Sequence, residues 1–196
     1  RPNLSKLKIE NRDIYQGGEG YLRYEAKEIS PMPLPGSPGS YIANASEHDP
    51  YGDTTHLPER HIHMMERRFS KLKLLEDGEF ESFNTQAPVA VMPWGGSKGP
   101  TEEAYELLQE HGQQVAWYYT MFLHPLPSKL LGLLLQKELV LVPELNYQGQ
   151  FSSYLRSLGV KAESITQYTG LPFNVENLAQ RLEERLGAGT RGMVNV

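Results

Sequence analysis

The sequence contains no cysteine. It can therefore supply neither disulfides nor thiolate ligands for zinc or an iron–sulfur cluster, and any redox cluster must lie on another chain. Apolar runs that approach the roughly 20 residues needed to span a bilayer are also absent. The first residues, Arg1-Pro-Asn-Leu-Ser-Lys6, do not resemble a secretory signal. These absences predict a soluble, cytoplasmic protein.

The sequence also has no excess of basic over acidic residues. The 196 residues carry a net charge of -5, and no block of like charges is long enough to form an arm that binds a polyanion. Nucleic-acid binding is therefore not expected. The chain starts without methionine and its opening residues resemble the interior of a longer reading frame, so we expect a fragment or a processed chain.

Residues 1–57 are rich in proline and glycine and show no sustained period of 3.6 or 2. This composition predicts an extended arm with little core of its own, apolar enough to wrap a surface. Two short segments, Lys8–Glu10 and Tyr21–Tyr24, could pair as strands.

Residues 58–86 are expected to form a helix and a linker. Pro58 fits the first turn of the helix, and apolar residues at spacings of three and four predict its packed face. These residues are Ile62, Met65, Phe69 and Leu72. The cations on the other side are predicted to be solvated, and they are Arg67, Arg68, Lys71 and Lys73.

Residues 87–187 alternate between strand and helix patterns. Strands are predicted within 87–94, 115–122, 139–143 and 164–168, and helices within 101–111, 128–137, 149–158 and 175–186, the last capped by Asn174. The leucines of 130–135 suggest burial nearly all round their helix. This alternation predicts an α/β fold of three layers, with a mostly parallel sheet between helices. Residues 188–196 are expected to be a flexible tail.

The segment Leu139–Pro143 is the most apolar predicted strand, and we expect it to be buried on both faces and to hold the centre of the sheet. The polar turn after it lies at the carboxyl end, where open α/β sheets place a ligand or partner crevice. Glu144 is either an acid with a perturbed pKa or a carboxylate that orients Asn146 or meets a neighbouring subunit. The second interpretation is favoured because no catalytic partner for Glu144 is found.

The turn Trp94-Gly-Gly-Ser-Lys-Gly99 precedes a helix, and amides at a helix start can bind anions. It lacks the spacing of a Walker loop or a dinucleotide fingerprint. A tight structural turn is therefore favoured, and an anion or partner contact by Lys98 is the alternative.

Four of the six histidines lie in one window with three carboxylates: His48, His56, His61 and His63 with Glu47, Asp49 and Asp53. The window suggests a metal site, but it has no diagnostic spacing, and residues 61 and 63 cannot share one helix face. A solvated or interface role is favoured. Ser-His-Asp and Cys-His catalysis have no support and no thiol is present, so no complete catalytic set is found.

Five motifs, in order, resemble those of 2-oxoacid:ferredoxin oxidoreductase alpha subunits, most closely the 2-oxoglutarate type. They are Ile29-Ser-Pro-Met-Pro-Leu-Pro-Gly36, Glu47-His-Asp-Pro-Tyr-Gly52, Met64-Met-Glu-Arg-Arg-Phe-Ser-Lys-Leu72, Trp94-Gly-Gly-Ser-Lys-Gly99 and Glu144-Leu-Asn-Tyr-Gln-Gly-Gln150. The resemblance covers about residues 20–175. The ordered set is more specific than any one motif.

The resemblance implies the carboxyl-terminal part of such an alpha subunit, with a domain like the transketolase carboxyl-terminal domain. The family converts a 2-oxoacid to an acyl-CoA on thiamine diphosphate and passes electrons through an iron–sulfur cluster to ferredoxin. It implies that the magnesium–diphosphate site and the cluster ligands belong to a beta subunit, so no cofactor is expected on this chain alone. Expected partners are that beta subunit, the amino-terminal part of the alpha subunit and ferredoxin.

No catalytic, cofactor-binding or metal-binding residue is assigned. Six residues are predicted to form structural turns or subunit contacts: His48, Asp49, Lys98, Glu144, Asn146 and Gln150. Two other functions are kept open, namely an independent flavodoxin-like module that binds a nucleotide or flavin at the 95–99 and 144–150 turns, and a structural dimerisation domain.

Overall fold

The computed structural model describes residues 13–18, 21–25, 29–41 and 45–191. The chain divides into two compact units, Arg1–Leu74 and Leu75–Val196. The domain boundaries predicted after residues 57, 86 and 187 remain a prediction. The strand predicted at Lys8–Glu10 lies outside the described residues, and the one predicted at Tyr21–Tyr24 is wrong, because a turn begins at Arg23.

Among its described residues the first unit contains one helix, α1, at Pro58–Leu72, which a short 3-10 turn at Lys73–Leu75 extends. Before it, Tyr15 and Met32 are joined by a backbone hydrogen bond of 3.0 Å. The rings of Tyr15 and Tyr21 stack with their centroids 4.2 Å apart. Aromatic rings and backbone bonds thus supply much of the packing among the described residues of this segment.

The predicted faces of α1 are wrong. Arg67, predicted to be solvated, is only 6% exposed, whereas Ile62 and Phe69 are each 58% exposed. The guanidinium of Arg67 lies 5.6 Å from the ring centroid of Tyr24, and burial lowers its pKa. A long arginine stem packs well on an aromatic ring, so the tyrosines before α1 select a different face from the one that apolar spacing favours.

The second unit is an α/β fold. Its strands are β1 Glu81–Phe83, β2 Val89–Val91, β3 Ala116–Tyr119, β4 Leu139–Glu144 and β5 Ala162–Thr166. Its helices are α2 Lys98–Glu110, α3 Ser128–Leu135, α4 Gln150–Ser157 and α5 Val175–Arg191. The predicted alternation of strand and helix is present, and α5 continues beyond the predicted end at Leu186.

The five strands lie in the order β1-β3-β2-β4-β5. β2, β3, β4 and β5 pair in parallel, and β1 pairs antiparallel to β3. The mostly parallel sheet is therefore confirmed. The centre of the sheet is β2 and not β4, because β1 adds a strand on the far side that the sequence did not indicate.

Side chains of β4 alternate between two cores. Val140 and Val142 join α3 and α4 on one face of the sheet, while Leu141 joins α2 and α5 on the other. Helices therefore cover both faces, as in a three-layer fold, and β4 is buried from Val140 to Glu144. Burial all round α3 is wrong, because Leu130 and Leu134 are buried whereas Leu135 is 49% exposed.

The last helix begins as the sequence predicts. The Asn174 side-chain oxygen accepts a hydrogen bond of 2.9 Å from the amide of Asn177. Such a cap satisfies one amide of the first helical turn, which has no partner within the helix.

Candidate functional site

Glu144 is the last residue of β4, and its carboxylate is fully buried. One carboxylate oxygen, Oε2, accepts hydrogen bonds from the amide of Phe151 at 2.8 Å and from Asn146 Nδ2 at 3.0 Å. The other, Oε1, accepts from the amide of Ser152 at 3.0 Å. A buried carboxylate is costly unless it is hydrogen-bonded, and this one is bonded through both oxygens.

Asn146 completes the start of α4. Its Oδ1 accepts hydrogen bonds from the amide of Gly149 at 2.7 Å and from that of Gln150 at 3.2 Å. The amides of Gln150, Phe151 and Ser152 open the helix and lack partners within it, and side chains of this chain accept all three. The helix start therefore already holds a carboxylate, supplied by Glu144, where an anionic ligand would otherwise bind.

Gly149 is needed where the turn enters α4. Its φ of +64° lies in the left-handed region. A Cβ at this position would come within 2.8 Å of the Ser164 side chain and 3.0 Å of Ser152 Oγ. Both the backbone conformation and the packing therefore favour glycine.

The glycine-rich turn after β2 is also held from within the chain. Residues Gly95–Ser97 form a 3-10 turn, and the Ser97 hydroxyl donates to the carbonyls of Trp94 and Pro143 at 2.8 and 2.9 Å. Lys98 Nζ lies 2.7 Å from the carboxylate of Glu81 and 4.3 Å from the ring centroid of Tyr119. Hydrogen bonding to Glu81 raises the pKa of Lys98. Its charge is therefore neutralised within the unit.

His48 and Asp49 lie in a turn of the first unit. Asp49 Oδ1 accepts hydrogen bonds from the amides of Tyr51, Gly52 and Asp53 at 2.9, 3.1 and 3.1 Å. His48 forms an isolated bridge with Thr54. This arrangement is typical of an aspartate that stabilises a turn through its own following amides.

Glu47 pairs with α1. Its carboxylate accepts hydrogen bonds of 2.7 and 3.1 Å from Arg68 and also contacts His61 Nδ1. Chiefly through Arg68, the pKa of Glu47 falls to about 2. Sequence reasoning missed this pair because 21 residues separate its members.

The window of histidines and carboxylates, for which a solvated or interface role was favoured over a metal site, lies around the turn of Asp49 and the start of α1. Within the described ranges, no group of three or more histidine, aspartate or glutamate side chains could hold a metal ion. His61 is engaged by Glu47 instead.

The structure brings together Glu144, Asn146 and the backbone of Gln150, whose side chain is exposed. Lys98 is the first residue of α2, after a separate turn that follows β2. His48 and Asp49 belong to the other unit. The sequence reasoning missed an exposed aromatic pair, Tyr147 and Tyr168, whose ring centroids lie 4.9 Å apart. The sequence signal that could have indicated this pair is the lack of charged residues in the two loops that follow the neighbouring strands β4 and β5.

Comparison with known proteins gives consistent results. Over 178 residues the chain is 32% identical to 2-oxoacid:ferredoxin oxidoreductase 2, subunit alpha, of Aeropyrum pernix, which covers 84% of this chain. It is 28% identical over 158 residues to the 2-oxoglutarate oxidoreductase subunit KorA of Mycobacterium tuberculosis, which covers 78% of it. A solved 2-oxoglutarate:ferredoxin oxidoreductase from Magnetococcus marinus superposes on 95% of this chain with a TM-score of 0.78 and 32% identity.

The chain belongs to the family of 2-oxoacid:ferredoxin oxidoreductase alpha subunits.

The chain spans about a quarter to a third of these relatives: 28% of the Aeropyrum subunit, 24% of the Mycobacterium subunit and 34% of the Magnetococcus chain. No protein-family model matches it. Its relatives are alpha subunits of oxidoreductases that consist of several subunits. The Magnetococcus structure contains 2-oxoglutarate, coenzyme A and succinyl-CoA. None of the helices in the described part of the chain has the length and apolar character needed to cross a membrane.

Proposed function

We propose that this chain forms the carboxyl-terminal part of the alpha subunit of a thiamine-diphosphate-dependent 2-oxoacid:ferredoxin oxidoreductase. The single observation that carries the proposal is the match to the Magnetococcus enzyme, which extends over 95% of this chain at 32% identity. The reaction is the oxidative decarboxylation of a 2-oxoacid such as 2-oxoglutarate, which yields an acyl-CoA and reduced ferredoxin.

The substrate class follows from the same relative. Its structure holds 2-oxoglutarate, coenzyme A and succinyl-CoA, and the Mycobacterium relative is named a 2-oxoglutarate oxidoreductase subunit. A 2-oxoacid with a second carboxylate is therefore the substrate to test first.

The residues of this chain do not fit the cofactors that the family implies. An iron–sulfur cluster takes cysteine ligands, and the sequence has none. Among the described side chains, no group of three or more histidine, aspartate or glutamate residues could hold a metal ion. We therefore assign the magnesium–diphosphate site and the cluster ligands to the beta subunit and the thiamine pyrimidine site to the amino-terminal part of the alpha subunit, and no step is derived through them.

The role left to this chain is structural and subunit-contacting. Glu144 and Asn146 make the carboxyl edge of the sheet rigid, because their side chains satisfy the first amides of α4. Asp49 does the same for its own turn. We propose that His48, Asp49, Lys98, Glu144, Asn146 and Gln150 hold turns or contact neighbouring subunits and that none of them is catalytic.

Affinity purification of the full chain from its own host tests the proposal. Co-purifying chains are identified by mass spectrometry, iron is measured, and reduction of methyl viologen is followed with coenzyme A and either 2-oxoglutarate or pyruvate. We expect a cysteine-containing second chain, bound iron and reduction that depends on a 2-oxoacid.

Two results would contradict the proposal. A chain that purifies alone or only with itself, without reduction dependent on a 2-oxoacid, favours the dimerisation domain. A yellow preparation, or a saturable rise of the unfolding temperature with added flavin, favours the flavodoxin-like module. The amides that open α4 are already bonded to side chains of this chain, which disfavours binding of a flavin or nucleotide phosphate at the 144–150 turn.

A further inference from the structure

Four apolar side chains stand exposed on two loops at the carboxyl ends of β4 and β5. They are Leu145, Tyr147, Tyr168 and Leu171, which are 41%, 73%, 65% and 68% exposed. The rings of Tyr147 and Tyr168 meet edge to face, with an interplanar angle of 75°. We refer to these four residues as the aromatic patch.

The aromatic patch is uncharged. No acidic or basic residue occurs in 145–150 or in 167–173. Compared with the rest of a protein surface, the core of a protein–protein interface is poor in charged residues and rich in aromatic ones. Tyrosine is among the residues that most often dominate the binding energy. The chemistry of the patch therefore fits an apolar protein surface.

Hydrogen bonds within the unit hold both loops. The first is fixed by the bonds of Glu144 and Asn146. The second is fixed where the amide of Gln167 donates to the Glu144 carbonyl at 2.9 Å, and where Gln167 Nε2 donates to the carbonyls of Leu171 and Pro172. A pre-formed patch loses little conformational entropy on binding.

The size of the aromatic patch suits the core of an interface, and the net charge of the chain bears on the kind of partner. From the exposed fractions its area is roughly 500 Å², within the range of the largest patches on monomers, which are often functional. A second copy of this chain is disfavoured as the partner because two copies, each with a net charge of -5, repel each other.

We propose that the aromatic patch is the centre of the docking surface for another subunit of the oxidoreductase, whose matching face is apolar. This inference rests on the proposed function. It assigns the contact to outward side chains of the two loops, whereas Glu144 and Asn146 only hold those side chains in position.

The test compares three variants of the full chain with the wild type. Tyr147→Ser combined with Tyr168→Ser removes both rings, and Tyr147→Phe combined with Tyr168→Phe keeps them. Leu135→Gln is the matched control, because it removes an exposed apolar side chain on α3. Affinity for the subunit that co-purifies with the wild type is measured by biolayer interferometry, and sedimentation velocity gives the self-association of each chain alone.

We expect the double serine variant to bind at least about 30-fold more weakly, the usual loss when one or two dominant interface residues are removed. The phenylalanine and Leu135 variants should stay within about threefold of the wild type. If the serine variant unfolds more easily than the wild type, Leu171→Lys replaces it, because a charge in the apolar centre opposes docking.

Two outcomes would overturn this inference alone. In the first, the partner subunit binds the double serine and Leu171→Lys variants as tightly as the wild type. In the second, the wild-type chain forms a dimer that the serine substitutions dissociate, which makes a second copy the occupant. If the wild type binds no partner subunit at all, the proposed function fails together with this inference.

Discussion

Replacement of Glu144 by glutamine should destabilise the α/β unit strongly although it changes one atom. The glutamine keeps the shape of the side chain but places an NH2 group where one carboxylate oxygen accepted a hydrogen bond. The less costly orientation turns this group towards the amide of Ser152, since Oε2 serves two donors and Oε1 serves one. Two donors then face each other in a fully buried position.

The expected loss follows from these contacts. A buried amide without an acceptor costs about 1–3 kcal/mol, and the remaining bonds lose the contribution of an ionised acceptor. Loss of a negative charge at the start of α4 adds about 0.5–1 kcal/mol. We therefore expect Glu144→Gln to lower the free energy of unfolding by about 3 kcal/mol.

Tryptophan fluorescence during urea denaturation measures this loss selectively. The only two tryptophans, Trp94 and Trp117, both lie in the unit that contains Glu144. The control is Glu163→Gln, which removes an exposed carboxylate that pairs with Arg185 at 3.1 Å and should cost less than about 0.5 kcal/mol. A loss of less than about 1 kcal/mol for Glu144→Gln would refute the account of the carboxylate as the organiser of this edge.

Two further predictions concern the turn before α4 and the pairing of Glu47. Gly149→Ala should cost about 2–3 kcal/mol in the same assay, since its Cβ would lie 2.8 Å from Ser164 and φ is +64°. In the first unit, the carboxyl of Glu47 should titrate with a pKa of about 2. Because this value lies below the ordinary 4.5, the ionised group stabilises the fold above pH 4.5, by about 1 kcal/mol for a partly exposed pair. That stabilisation is lost as the pH falls towards 2. Arg68→Gln should raise the Glu47 pKa towards its ordinary value, as followed by carboxyl carbon NMR.

Each of these two predictions has a result that contradicts it. The control for Gly149 is Gly112→Ala, where φ is +75° but no atom lies within 4 Å of the added Cβ. Equal losses at both positions would mean that backbone strain alone decides and that contact with Ser164 adds nothing. For Glu47, a pKa that is the same with and without Arg68 would show that the ion pair does not form in solution.

The sequence predicted the elements of the α/β unit well where local pattern was strong. Val140–Val142 form a run of β-branched and apolar residues that is typical of a strand buried on both faces, and the structure buries them on both faces. Asn174 was recognised as a cap because its hydrogen bond reaches only three residues along the chain.

The sequence did not predict β1 or the packed face of α1. β1 is three residues long and exists through its pairing with Trp117–Tyr119, more than 30 residues away. The face of α1 depends on where Tyr24 lies, and apolar spacing within a helix carries no information about a ring elsewhere in the chain.

For the candidate site, the sequence by itself determined that Glu144 ends a buried strand and that a polar, glycine-containing turn follows. It also determined that no cysteine ligand is available. The contacts that the carboxylate makes were decided by the tertiary structure alone. Only the fold brings the amides of Phe151 and Ser152 to its oxygens, and a carboxylate occupied in this way holds the edge on which Tyr147 and Tyr168 are displayed.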